Sequence, residues 1–444
     1  MTTNTAPTEW GLVRAVGTFG LAAGIANIMI GGGIYRLPAA VAETLGAAAP
    51  IAYVVCAVVM GLIGLCIAEA GSRVAVTGGP YAYVEVAFGP FMGYMTGVMT
   101  WMLGITAFAA VATVFIESLG AMVPFFASAS GRAIGLTGAF TFLAAVNIIG
   151  VKHGNRLNTV MIVVKVLPLL VLVAIGVFAV EPANLAIVEM PGAASIARTS
   201  IVLLFAFTGV ESALVVGGEL RDPARTVPRG IFLGMAGVTL LYMSIQFVAQ
   251  GVLGPALAGA TTPLADAAGI AIGPWGRQLL LIGVIISTFG YLSGMALASP
   301  RSLFAFARDG FLPKRLAAVH PKFHTPWIAV ILQLGITCVV GITSSFGALA
   351  VISNVAALLV YFACAGAAWQ LRKTGVQMEG TTPFRMPGGA LIPVLSCLAI
   401  LGLLTSITAS EWLVLIEVAT AATVIFFLTR SHRAARGAAV RTAG

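Results

Sequence analysis

Ile30-Gly31-Gly32-Gly33-Ile34 lies in the middle of the first long apolar stretch, where an ordinary membrane helix would run unbroken. Glycine loses more backbone freedom on entering a helix than any other residue, so three in succession invite the chain to unwind. Their missing side chains leave bare N–H and C=O groups open to a solute. A later apolar stretch holds Phe207-Thr208-Gly209-Val210-Glu211, again with a glycine in mid-run and now beside a carboxylate. Two interrupted segments in corresponding places are the sequence sign of a secondary transporter built from inverted repeats.

Working outward, the chain is 59% hydrophobic and only 9% charged over 444 residues, with a mean hydropathy of +1.03. No soluble core needs so much apolar material, and the sequence reads as an integral membrane protein. A span takes roughly 20 apolar residues to cross about 30 Å of hydrocarbon, and these runs are too long and continuous for barrel strands. The expected fold is all-α, with apolar spans at 13–44, 48–74, 89–120, 131–150, 156–180, 195–219, 229–252, 275–305, 327–345, 347–371, 390–409 and 411–430. That makes about twelve transmembrane helices, numbered here as spans one to twelve. Met1 to Leu12 offers neither a basic region nor an apolar core, and no cleaved targeting peptide is expected.

Lysine and arginine are retained on the cytoplasmic side, so alternate loops can be oriented by counting them. Nineteen of the 24 fall in one set of segments, while the other set offers Arg132, Arg198 and Arg277; Arg36 and Lys165 lie within spans. Both termini are thereby expected inside. The formal charge of +9 reads as topology, and no nucleic-acid partner is expected. Cys56, Cys66, Cys338, Cys364 and Cys397 lie in apolar runs without the spacing of metal or disulfide frameworks. No metal or other cofactor is expected.

No Gly-Lys pair exists, so there is no phosphate-cradling P-loop to couple ATP. G-x-S-x-G and H-E-x-x-H are missing too, which leaves an enzyme reading without support. The four histidines, His153, His320, His324 and His432, fall in cytoplasmic segments. Titration within the membrane is therefore left to carboxylates or to Lys165.

A half-helix starting near Ile34 would aim its positive N-terminal end and free N–H groups at an anion, such as a substrate carboxylate. At the second break, Gly209 would leave carbonyls around Phe205, Ala206 and Thr208 open to an ammonium group. Glu211 follows at once; it is either a gating or proton-linked carboxylate or a neutral acid bonding helix ends. Lys165 has no acidic neighbour within a turn of its own helix. It either snorkels to the cytoplasm or bridges the broken first helix and span eight near Ser287 and Thr288, standing where sodium could bind. Arg36 and Glu43 are expected to pair at the outer vestibule, Glu69 and Arg73 to pair along one helix, and Glu117 to reach water. Trp101, the one tryptophan in mid-span, either lines a path or packs in the core.

Several motifs in order resemble the amino acid–polyamine–organocation superfamily of permeases, from about Val13 to Thr429. Gly31-Gly32-Gly33-Ile34-Tyr35 is similar to that family's G-S-G-I-F break, and Gly78-Gly79-Pro80-Tyr81-Ala82-Tyr83 to its G-G-x-Y-x-Y loop. Phe207-Thr208-Gly209-Val210-Glu211-Ser212-Ala213 is similar to the F-x-G-V-E-S-A stretch of its arginine–agmatine antiporters. Glu219 to Pro228 and Ala307-Arg308-Asp309-Gly310-Phe311-Leu312-Pro313 complete the likeness.

The resemblance implies a leucine-transporter-like five-plus-five inverted repeat. Residues 13–180 would form the first repeat, 195–371 the second and 390–430 two trailing helices, between a cytoplasmic segment at 1–12 and a basic tail at 431–444. It further implies that Gly31, Gly32 and Gly33 bind a substrate carboxylate, and that Met29, Phe205, Ala206 and Thr208 receive its amino group. Phe205 would be an aromatic lid, Glu211 the outer gate, and Lys165 a fixed replacement for the ion. Met295 stands where the arginine–agmatine antiporters have tryptophan, which favours a neutral or apolar amino acid and leaves a cationic one open through Glu211. The resulting expectation is a proton-coupled, sodium-independent amino acid symporter of a bacterial inner membrane, its partners the amino acid, protons and the lipid bilayer. Its rivals are an exchanger of amino acids or amines and a non-transporting amino acid sensor.

Overall fold

The structure is a computed structural model that describes residues 17–74, 79–149, 154–210, 220–308, 312–377 and 382–428. The terminal segments and Glu211 lie outside the described residues. Helices follow one another in the order α1 (Thr18–Met29), α2 (Gly33–Leu45), α3 (Ala49–Arg73), α4 (Pro80–Phe88), α5 (Pro90–Met122), α6 (Ala129–Ile149), α7 (Gly154–Gly176) and α8 (Ala193–Leu204). After the second break come α9 (Pro223–Leu253), α10 (Pro263–Ala271), α11 (Pro274–Arg308), α12 (Trp327–Thr343), α13 (Phe346–Lys373), α14 (Leu391–Leu404) and α15 (Ala409–Leu428). No β-strand occurs among the described residues. In a medium without water only intrahelical bonding can satisfy so much backbone, so long apolar runs close into helices.

Among the described residues, seven helical runs are long and apolar enough to cross a bilayer, and five shorter apolar helices accompany them. Two of the five, α1 and α8, are short because a break stops each one. Helical backbone ends at Met29 and resumes at Gly33. In the second break it ends at Leu204, passes through turns over 205–209 and is helical again at Val210. Two short helices were not expected from hydropathy: α4 and α10 each open on proline, at Pro80 and Pro263, whose fixed φ suits a first helical turn.

The two breaks face each other, because α2 packs on α8 while α1 packs along α9. Small residues let the latter pair approach. A Cβ added at Gly230 would meet Leu21 at 2.7 Å, and one at Gly234 would meet Ile25 at 2.9 Å, four residues further on. The helix α5 runs through the centre against α11 and α13, α3 lies on α9, and α6 lies on α12. Arg198 near the start of α8 makes a two-bond clasp with Glu411 of α15, at 2.9 and 2.8 Å, and so ties the last helix to the bundle.

The pair expected between Glu69 and Arg73 is present and is part of a larger cluster. Glu69 is fully buried and accepts from Arg73 at 2.8 and 3.0 Å, from Arg372 of α13, and from the Met386 N–H. A carboxylate can be left in such a place only when cations and donors surround it on every side. Substituting Glu69 by alanine strands two guanidinium groups, at a cost of about 3–5 kcal/mol. The expected result is a large drop in the melting temperature of purified protein in detergent; a shift of only a degree or two would show the cluster to be dispensable.

Candidate functional site

Each break leaves main-chain groups that a continuous helix would have paired. The Ile30 N–H still reaches Ala26 O at 2.9 Å and the Gly31 N–H turns back on Met29 O at 2.7 Å. The N–H groups of Gly32, Gly33 and Ile34 find no acceptor among the described residues. These are the open donors of the first turn of α2, three in a row at the positive end of a helix. Across from them, Phe205, Ala206, Phe207 and Thr208 donate to carbonyls at the end of α8, and the Thr208 hydroxyl donates to Phe205 O at 3.0 Å. The carbonyls of Ala206, Phe207 and Thr208 accept no hydrogen bond among the described residues. Donors at one break and acceptors at the other are the two halves of a site for a zwitterion.

The glycines are needed for space. A Cβ on Gly32 would lie 2.8 Å from Val111 of α5 and 3.2 Å from Thr288 of α11. A Cβ on Gly33 would lie 2.7 Å from the ring of Phe205, and one on Gly31 3.7 Å from Tyr291. Gly209 has φ +114, a region that strains any other residue, and a Cβ there would meet Ile28 at 2.6 Å. Phe205 is buried over the first break and packs edge-on against Phe346, 5.5 Å between ring centroids. The side chains nearest these glycines are uncharged: Val111, Thr288, Phe205, Leu37, Tyr291 and Ile28.

The carbonyl end of α1 is closed by side chains that come from far along the chain. Lys165 of α7 is buried, and its ammonium donates to Asn27 O at 2.5 Å. A cation at the negative end of a half-helix answers both the open carbonyl and the dipole. Tyr242 of α9 donates to Met29 O at 2.6 Å, and Tyr35 of α2 returns a hydrogen bond to Lys165 O at 3.1 Å. Met29 O thus accepts from both Tyr242 and Gly31 in this structure.

Lys165 joins α7 to the broken first helix, while its hydrogen bond goes to α1 and not to span eight. There the Thr288 hydroxyl turns back on Val284 O at 2.7 Å, and Ser287 Oγ is buried without a hydrogen bond of good distance and angle among the described residues. Met295 is partly buried two turns further along α11. Trp101 donates to the buried Gln333 of α12 at 2.7 Å. The Arg36–Glu43 pair does not form, because two turns of helix hold those residues too far apart; Glu43 is exposed. Arg36 instead lies 3.9 Å from Glu117, which is therefore flanked by charge and not by water alone.

Sequence reasoning missed Tyr35, Tyr242 and Asn354. The Asn354 amide, fully buried on α13, donates to Ile201 O at 2.6 Å and Val202 O at 3.3 Å near the end of α8. A signal was available for all three, since a polar side chain in mid-span must find a partner in the protein.

Over residues 16–428 the chain matches the family described as Amino acid permease. It belongs to that family. Among relatives, the serine/threonine exchanger SteT of Bacillus subtilis is 30% identical, over 82% of this chain and 84% of its own length. The branched-chain amino acid permease BcaP of the same organism is 28% identical over 96% and 95%, and its methylthioribose transporter 26% over 95% and 94%. The family is one of transporters, not enzymes, and the protein is a multi-pass membrane protein. In this permease, the space at Gly32 yields a test. Gly32→Ala should weaken ligand-induced thermal stabilisation at least tenfold in ligand concentration, and Val111→Ala added to it should recover most of the loss. Strict additivity of the two changes would show that the methyl group and Val111 do not compete for the same place.

Proposed function

We propose that this permease is a sodium-independent, proton-coupled symporter of neutral amino acids that works by alternating access in a bacterial inner membrane. The observation that carries this reading is the packing of α2 on α8, which sets the N–H groups of Gly32, Gly33 and Ile34 close to the turns that hold the carbonyls of Ala206, Phe207 and Thr208, both sets without hydrogen-bond partners among the described residues. The first set receives the α-carboxylate and the second the α-ammonium group, so the main chain recognises what all amino acids share. Selection falls to the side chains against the breaks, and the uncharged set of Val111, Thr288, Phe205, Tyr291 and Ile28 favours a neutral substrate. The names of the serine/threonine and branched-chain relatives point the same way.

Packing supports a five-plus-five repeat, in which span n of one half corresponds to span n + 5 of the other. The pairs α2–α8, α3–α9 and α5–α11 join corresponding spans, and α1–α9 is mirrored by α8–α3. The central α5–α13 contact is likewise mirrored by α11–α7. The excess of lysine and arginine in alternate segments supports cytoplasmic termini. Sodium independence rests on Lys165, whose ammonium holds the carbonyl end of α1 where a mobile cation would otherwise be called for. Glu211 is assigned to the outer gate by its place in the motif.

The exchanger relative favours a second reading, obligate exchange. Proteoliposomes separate the two: uptake of a labelled neutral amino acid into empty vesicles under an inward pH gradient is expected for symport, and uptake confined to preloaded vesicles would establish exchange. Replacing Lys165 by alanine should abolish pH-driven uptake. Sodium-stimulated uptake in the native protein would overturn the role given to that ammonium.

A further inference from the structure

A small cleft lies beside Tyr35 in the first turn of α2, on the side of the break that the topology above places outside, lined by Arg36, Glu117, Ser118, Thr261 and Thr262 among others. Arg36 of α2 and Glu117 of α5 line it, and Arg132 of α6 approaches Glu117 from outside the lining. Arg36 Nη1 donates to Ala260 O at 2.7 Å, and its Nε lies 3.9 Å from one oxygen of Glu117. The other Glu117 oxygen lies 4.0 Å from Arg132 Nη1. Arg132 is anchored independently, since its Nη2 donates to Gly341 O and Ser344 O at 2.8 and 2.7 Å.

These attachments are unequal. Arg132 binds α6 to the end of α12 through two short bonds, whereas Arg36 holds α2 through one short bond and an ion pair too long for a hydrogen bond. Arg36 and Glu117 are both about one-third exposed, at 29% and 33%, so water can replace what they lose on parting. The half-helix α2 is also the element whose first turn presents the open N–H groups. A movement of α2 that opens the cleft must break Arg36 from Ala260 and from Glu117, while Arg132 and its carbonyls can stay together.

We propose that Arg36 is the releasable latch of the outer entrance, closing α2 against the 254–262 loop and α5, with Arg132, anchored on α12, as a second charge that stays beside Glu117. This rests on the alternating-access reading and assigns part of the outer closure to a residue other than Glu211. The latch acts by position, without touching the substrate at the breaks.

The test is labelling by a membrane-impermeant maleimide in proteoliposomes, with transport and melting temperature measured on the same preparations. Ser118→Cys places a thiol on the cleft wall, where the native residue is 3% exposed. Thr261→Cys places one at the exposed rim. The native protein sets the background, its cysteines free, four of them buried and Cys397 partly so. In the Ser118→Cys protein, Arg36→Gln should raise the labelling rate about tenfold, the shift expected for losing one charge-assisted hydrogen bond. Glu117→Gln should raise it about threefold, as befits a partly exposed pair. Rim labelling and melting temperature should stay as they were.

An unchanged rate at Ser118→Cys in either variant overturns the latch, and so does a rise at both positions accompanied by a fall in melting temperature. If Arg36→Gln does not fold, Glu117→Gln decides alone. Absence of amino acid uptake by the native protein would strike the transport reading itself, whereas normal uptake with indifferent labelling would remove the latch alone.

Discussion

The structure depends on one constraint: a backbone N–H or C=O that leaves its helix inside hydrocarbon must find another partner, at several kcal/mol for each that does not. Breaking a helix in mid-membrane is tolerated only if the freed groups are divided between the protein and something else. At the end of α1 the protein supplies partners for the carbonyls of Ala26, Asn27 and Met29, through Lys165, Tyr242 and the local N–H groups of Ile30 and Gly31. At the start of α2 and over residues 206–208 it supplies none among the described residues. Among the described residues, the permease is thus satisfied where it must hold its shape and open where a ligand would complete it.

The same division explains why some of this was legible in the sequence and some was not. A break is a local event, written by Gly31-Gly32-Gly33 and by Gly209, whose positive φ no side-chain-bearing residue adopts easily. Helix limits were legible for the same reason; the expected span at 89–120 appears as Pro90–Met122, and that at 347–371 as Phe346–Lys373. What satisfies a break comes from across the bundle, and spacing along the chain says nothing about it. Lys165 was conspicuous as a lone cation in an apolar run, yet its partner at Asn27 follows from tertiary packing. The Arg36–Glu43 pair is absent for the same reason: spacing along one helix does not show the end of α5, which brings Glu117 near Arg36.

Glycine serves two opposed purposes in the bundle. At Gly230 and Gly234 it removes bulk so that α1 can lie close on α9, and a helix is preserved by it. At Gly32 and Gly33 it removes bulk so that Val111 and Phe205 can close over unpaired backbone. The difference is the company it keeps: a spacing of four lines glycines up on one face of an intact helix, and adjacency dissolves the helix. In this bundle, four-residue spacing marks glycines of the scaffold and a consecutive run marks those of the site.

A tethered cation at the end of α1 also bears on what can drive the cycle. A sodium ion does work because it enters on one side and leaves on the other, so its gradient is spent as it passes. The Lys165 ammonium cannot leave α7, and while it holds Asn27 O that carbonyl offers a passing metal ion little reason to stop. Only its proton can come and go, and losing it would weaken the hold of α7 on α1 by removing the charge that answers the half-helix dipole. Coupling in the proposed cycle then reduces to whether α1 can part from Lys165 with the proton still in place. If it can, the lysine is a permanent strut and the substrate gradient alone must turn the cycle; if it cannot, each turn requires one proton to be given up on the side where α1 moves.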